Sequence, residues 1–299
     1  MARRNGDFDR SLAAIRRLNQ LGRSLASEPE SLIQYLVGLA ISQLAMDEMR
    51  AITEIPHIDP EVLSSLYKIS ETPFPLEKGL RLALLSEFRM QAFCVQLLDK
   101  TIRDAQPSED DFFDFPYIRW GKLAPGYILK PNLTLETFAS ITRVNLQNIG
   151  KPLKEMDLTQ DERLMQEIHN AKKLLARPNF AGHLLFAILV PALDSLLIKN
   201  VTFQAEKTAL NTHLALRLYA ADHGGLPDSL SLLMPDYLEK APIDPFDHEN
   251  LRYDPHRKIL WSVGEDMMDQ GASWSLPDTD NAVEQQHQED LIWNVTPDI

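Results

Sequence analysis

Apolar residues recur at helical spacing through most of the first 220 positions, with few alternating runs, and this pattern predicts a helical body. Residues 9–26 read as an opening amphipathic helix. Residues 29–50 read as a second, with Ser27 as its N-cap and Pro29 just inside its start. The second helix presents Leu32, Ile33, Leu36, Val37, Ala40, Ile41 and Leu44, a broad apolar stripe that must pack on something. Residues 60–70 and 75–104 suit the next two helices. Between 106 and 130 the pattern gives way to acidic and aromatic residues, among them Phe112, Phe113, Phe115, Tyr117 and Trp120. We read that stretch as a long loop that straps the body. Helical spacing resumes over 134–149, 159–175 and 179–222, with Pro191 expected to kink or divide the last.

After Asp222 the texture changes. Gly224 and Gly225 are followed by prolines at 227, 235, 242, 245 and 255, and by short β-like runs such as 258–263. Short strands between turn residues predict a small antiparallel sheet. The expected fold is therefore mainly α, with a helical body over 1–203 and an α+β module over 204–299 built on a long helix.

Charge sharpens that division. Up to Ala221 the chain carries 26 acidic and 26 basic residues; from Asp222 onward it carries 17 acidic and 4 basic, so the whole net charge of −13 lies in the last quarter. So acidic a segment repels phosphate backbones, and the body has no Lys/Arg stripe interleaved with aromatics, which argues against nucleic acid as a partner. The arginines at 3, 4, 10, 16, 17 and 23 are the nearest approach to a basic patch, and we read them as the solvated face of the opening helix. Hydrophobic residues at 44% and charged residues at 24% are ordinary for a globular chain. The longest apolar run, 183–201, is interrupted by Pro191, Asp194 and Lys199, so no membrane span is expected. Cys94 is the only cysteine, which excludes an intramolecular disulfide, and its helical surroundings suit a buried structural thiol.

One ordered set of pieces lies in the last third. A helix ends in Leu216, Arg217, Leu218, Tyr219 and then Gly224, Gly225, Leu226 and Pro227; Pro235 to Leu238 follows, then Pro242-Ile243-Asp244-Pro245-Phe246, Leu251-Arg252-Tyr253 and Ser262-Val263-Gly264-Glu265-Asp266. This order resembles the soluble head of the major pseudopilin of type II secretion systems, and the tail Asp290-Leu291-Ile292-Trp293 is similar to the ending of those proteins. The whole chain also resembles uncharacterised bacterial envelope-associated proteins that place a helical body before the same ending. Each piece has a local physical reading as well: Gly224 and Gly225 supply the positive φ that ends a helix, Pro227 stops its continuation, Asp244 bonds backbone amides in its turn, and Gly264 lets a strand break into a loop.

In calcium-binding pseudopilins the loop after that strand holds the ion. The resemblance therefore implies a Ca2+ site here, with Asp266, Asp269 and Asp290 as side-chain ligands. Calcium takes six to eight hard oxygens, and this module is rich in them. The departures from the family are that Met267 and Met268 stand where its loop is Gly-rich, and that 274–288 is a long insertion. The alternative is a solvated acidic loop.

Signatures of the common hydrolases and nucleotide binders are absent from the sequence. His248 and His256, near Asp244, Asp247 and Asp254, form the tightest histidine group and a candidate zinc site, and Asp194 is the one candidate for a perturbed carboxylate. Two functions follow. The first is a non-catalytic interaction or assembly protein, envelope-associated, whose helical body binds a protein partner and whose head is stabilised by calcium. The second is a hydrolase-like enzyme with carboxylates in a cleft between body and module. The expected compartment is the envelope or periplasm if an anchor preceded Met1, and the cytoplasm if the chain is complete.

Overall fold

A computed structural model of the chain describes residues 8–104, 125–158, 178–189, 192–272 and 290–295. Among them are seven helices longer than a single turn: α1 (Phe8–Ser27), α2 (Leu32–Thr53), α3 (Pro60–Ser70), α4 (Leu76–Asp104), α5 (Pro131–Asn148), α6 (Phe180–Leu189) and α7 (Ala192–His223). Three short strands, β1 (Arg252–Asp254), β2 (Ile259–Ser262) and β3 (Leu291–Asn294), follow in the last quarter. The fold is thus mainly helical with a small antiparallel sheet, as the patterning predicts. The aromatic stretch expected to strap the body and the helix expected over 159–175 lie outside the described residues, as does Pro191. At the end of the expected loop the described chain is helical instead: Pro125–Ile128 form one turn, and Leu129 is buried in a cluster with Phe180 and Ala181.

The expected start of α2 needs correction. Ser27 is the last residue of α1, and its hydroxyl donates to Ser24 O. The N-cap is Ser31, whose Oγ accepts from Gln34 N at 3.1 Å, while Gln34 Oε1 accepts from Glu30 N at 3.2 Å. This is close to a capping box, with the Gln34 side chain reaching the amide just before the cap, and it fixes the helix start better than a serine followed by proline.

Helices α1 and α2 pack at backbone distance. A Cβ on Gly38 would stand 2.8 Å from Gly22 O and 2.9 Å from Ala26 N, so only glycine allows this approach. Further along, Tyr35, Met49, Leu66, Leu84, Phe138 and Phe186 belong to one buried cluster, with the Phe138 and Phe186 rings 4.4 Å apart. Burial of these large side chains is what holds the body.

Helix α7 is the axis of the molecule. Every residue from Thr212 to Arg217 is buried, so this helix has no solvent face there. Leu210 and Leu214 belong to the body's cluster, whereas Ala209, Ala215 and Leu216 belong to a second cluster with Leu233, Leu260 and Trp293. The division expected at 203/204 therefore falls inside a helix that carries core residues of both parts. Gly224, at φ +74°, donates its amide to Ala220 O and ends the helix where the sequence places the stop.

The sheet order is β1-β2-β3, antiparallel throughout, with Arg252 opposite Trp261 and Leu260 opposite both Tyr253 and Trp293. Because strand residues alternate between faces, Tyr253, Leu260 and Trp293 share the face that joins the second cluster, and Arg252, Trp261 and Ile292 share the other. The module is bonded to the body at separated points. Tyr67 Oη donates to Tyr237 O at 2.6 Å, Lys154 N donates to Phe246 O at 3.1 Å, and Arg50 Nη2 donates to Ile292 O at 3.3 Å. No described helix is long and apolar enough to cross a membrane.

Candidate functional site

The polar residues of the module meet around Asp244, which is 0% exposed. Its Oδ1 accepts from Phe246 N at 3.1 Å and from Ser262 Oγ at 3.0 Å; its Oδ2 accepts from Val263 N at 3.1 Å and from Arg252 Nη1 at 2.9 Å. The turn role expected for Asp244 is therefore present, and it extends further. The same carboxylate ties the Pro242 to Phe246 turn to the end of β2. Burial raises the Asp244 carboxyl above the ordinary aspartate range, opposed by the bonds from Phe246, Val263 and Ser262.

Arg252 is the residue the sequence did not single out. Its guanidinium bonds Asp244 and Asp247, and its Nε lies 3.6 Å from Asp269 Oδ2. One fork-shaped cation thus serves three carboxylates in the most acidic part of the chain. Partial burial raises the Asp247 carboxyl, but Arg252 outweighs that effect and holds it below the usual range. The only sequence signal was an arginine beside a tyrosine in a short β-like run, and nothing local says that it turns toward the acidic loop.

The three expected calcium ligands lie on the loop after β2 and just before β3. Asp266 Oδ1 accepts from Met268 N at 2.9 Å and its Oδ2 from Gln270 Nε2 at 2.6 Å. Asp269 Oδ1 accepts from Trp261 Nε1 at 3.0 Å and from Gly271 N at 2.9 Å. Burial raises the Asp269 carboxyl, but those bonds and Arg252 bring it below the ordinary value. Asp290 is 8% exposed; its Oδ2 accepts from Ala272 N at 2.8 Å, and its Oδ1 is buried without a hydrogen-bond partner. Burial raises the Asp290 carboxyl, opposed by the backbone amides of Ala272 and Gln270, and the charges of Asp269 and Asp266 raise it further. The loop is held at its far end by Arg257, which donates to Gly271 O at 2.6 Å and Ala272 O at 2.8 Å. Met267, at φ +57°, sits in the left-handed region that glycine occupies more easily.

Among the described residues, no group of three or more His, Cys, Asp or Glu side chains converges as a metal cage. The fit to a cation rests instead on one orphaned buried oxygen, Asp290 Oδ1, with two further carboxylates acting on it. Asp266 and Asp269 retain acceptor capacity beyond the bonds they make, since a carboxylate offers about four lone-pair sites.

Other candidates are placed more simply. His248 N donates to Asp244 O and His256 N to Asp254 Oδ1, so both histidines take part in turns through their backbones. Cys94 is a free thiol on α4 and is only partly buried. The side chain of Asp194 lies outside the described residues. A cleft of about 470 Å³ where α7 passes the start of α4 is lined by Glu77, Lys78, Gln204, Lys207 and Asn211, with Glu77 its single carboxylate. No known protein family, no characterised protein and no solved structure matches this chain.

Proposed function

We propose that this chain is a non-catalytic interaction or assembly protein whose pseudopilin-like C-terminal module is stabilised by calcium at Asp266, Asp269 and Asp290. The observation that carries the reading is the buried Asp290 Oδ1, which has no hydrogen-bond partner among the described residues and belongs to a carboxylate repelled by Asp269 and Asp266. Leaving a buried acceptor unpaired costs about 1–3 kcal/mol, more when it is charged, and a bound cation offsets that cost. Calcium suits the chemistry because the available ligands are hard oxygens.

The body's contribution is the outer side of α4. Phe93 is 63% exposed and Leu97 53% exposed, and Met90 lies on the same side. Arg89 and Lys100 border these residues and form no ion pair among the described residues. A basic-flanked apolar strip matches an acidic amphipathic segment of a partner protein.

The test is a thermal melt of chelator-treated protein with and without millimolar calcium. The expected result is a higher melting temperature with calcium, since a ligand that binds the native state stabilises it, and loss of that rise in Asp266→Ala combined with Asp269→Ala. Asp290→Asn should lose the calcium response yet melt higher than wild type in chelator, because the amide relieves the repulsion. No calcium response in the wild type would remove the ion from this reading. For the partner surface, a fluorophore on Cys94 titrated with an acidic amphipathic peptide should respond in wild type and not in Arg89→Glu combined with Lys100→Glu.

A further inference from the structure

The arginines of the opening helix do not all belong to a solvated face. Arg16 and Arg23, seven residues apart and so on one side of α1, line a cleft of about 390 Å³ together with Lys68 of α3. We infer that this cleft binds a phosphate-type oxyanion carried by a small molecule or a lipid headgroup.

Three observations carry the inference. First, among the described residues the lining holds three cations and no carboxylate; apart from Ile69, the remaining residues are the polar Asn19, Gln20, Ser65 and Thr72, of which Thr72 already donates its hydroxyl to Lys68 O. Arg16, Arg23 and Lys68 form no ion pair among the described residues. In a chain of net charge −13, three cations in one concavity with no ion-pair partner among the described residues are a local reversal of sign.

Second, a donor is waiting. Arg23 Nε is buried without a hydrogen-bond partner. A buried unpaired guanidinium N–H is costly, and an oxyanion accepts from such a fork in a bidentate manner.

Third, three of the acceptors that would oppose an anion are already taken. The C-terminal end of a helix carries partial negative charge, and α3 ends beside the cleft. Three of its last carbonyls are bonded: Tyr67 O by Glu71 N, Lys68 O by Thr72 Oγ1, and Ile69 O by Asn19 Nδ2 and Thr72 N. Thr72 O accepts from Lys207 Nζ at 2.6 Å, which brings a fourth cation close behind the cleft. Arg23 and Lys207 act on each other as like charges, with Glu71 as the opposing carboxylate. The volume lies in the range of small-molecule sites and exceeds what a bare phosphate fills, which points to a phosphate ester or diphosphate.

The experiment is a calorimetric titration of the full chain with inorganic pyrophosphate at low salt, alongside flotation with vesicles of phosphatidylglycerol or of phosphatidylcholine. Three proteins are compared: wild type, Arg16→Gln with Lys68→Gln, and Arg17→Gln with Arg81→Gln. The last removes the same charge from exposed positions outside the cleft. Saturable pyrophosphate binding, weakened about tenfold or more in the cleft variant and unchanged in the control variant, is the expected result for a soluble phosphate ligand. Flotation with phosphatidylglycerol alone, lost only in the cleft variant, assigns the phosphate to a headgroup. Absence of both, or equal loss in the two variants, overturns the inference. Both substitutions in the cleft variant are at exposed positions, so its melting temperature should match wild type, and a circular-dichroism melt verifies this.

Discussion

The carboxylate of Asp244 reaches 18 residues along the chain to accept the Ser262 hydroxyl at 3.0 Å, so the turn before the sheet and the end of its central strand are held by one buried group. Both oxygens are fully used, and Arg252 supplies the counter-charge. Replacing Asp244 by Ala leaves Arg252 with Asp247 and Asp269 only, and leaves the buried Phe246 and Val263 amides and the Ser262 hydroxyl without their acceptor. We expect a loss of about 3–5 kcal/mol in urea denaturation. Asp244→Asn, which keeps an acceptor, should lose less. A cost below about 1 kcal/mol for the alanine variant would mean that the module does not depend on this junction.

Gly38 makes the opposite of the usual helix prediction. Glycine to alanine inside a helix normally gains about 1 kcal/mol. Here the added methyl meets Gly22 O and Ala26 N, both backbone atoms, so α1 and α2 must separate. Gly38→Ala should destabilise by about 2 kcal/mol or more, as overpacking does. A stabilised variant would show that the hairpin can relax freely.

His213 gives the chain an acid sensitivity of known sign. It is fully buried on α7, neither ring nitrogen has a hydrogen-bond partner, and burial, reinforced by Arg217 and Arg50, pushes its pKa down to about 3. The unfolded chain titrates near the ordinary value of about 6.5, so it binds the proton first. Stability from the neutral imidazole is complete above about pH 6.5 and is lost as the pH falls toward about 3, by up to about 1.4 kcal/mol per pH unit. His213→Leu should flatten this part of the profile. The measurement is the difference between wild-type and variant stability from pH 7 to 4; a constant difference would rule the histidine out as its source.

The outer side of α4 should tolerate change. Phe93→Ser and Leu97→Ser remove exposed side chains and should shift stability by no more than about 0.5 kcal/mol. Leu84→Ala, in the core of the same helix, should cost about 2–5 kcal/mol. If the serine variants instead lost more than about 2 kcal/mol, that face would be packed within the chain and unavailable to a partner.

Much of the architecture is local and therefore legible. Leu63, Leu66 and Ile69 repeat at helical spacing, and α3 lies where that spacing places it, with Asp59 capping and Pro60 at its first turn. Gly224 ends α7 because only a residue content with positive φ closes that turn cheaply. Two serines compete for the cap of α2, and Gln34, three residues past Ser31, decides between them. The carboxylates of the module were visible as charge, but their partners were not. Arg252 and Trp261 reach them from neighbouring strands.

The sequence alone determined the helical body, the change to short strands after Asp222 and the confinement of net charge to the last quarter, because periodicity, turn residues and charge are properties of neighbours along a chain. The tertiary structure alone decided that α7 serves both cores, that one arginine reaches three aspartates, and that Arg16 and Arg23 converge with Lys68. Those relationships join residues far apart in sequence, and only the packing of whole helices and strands sets such distances.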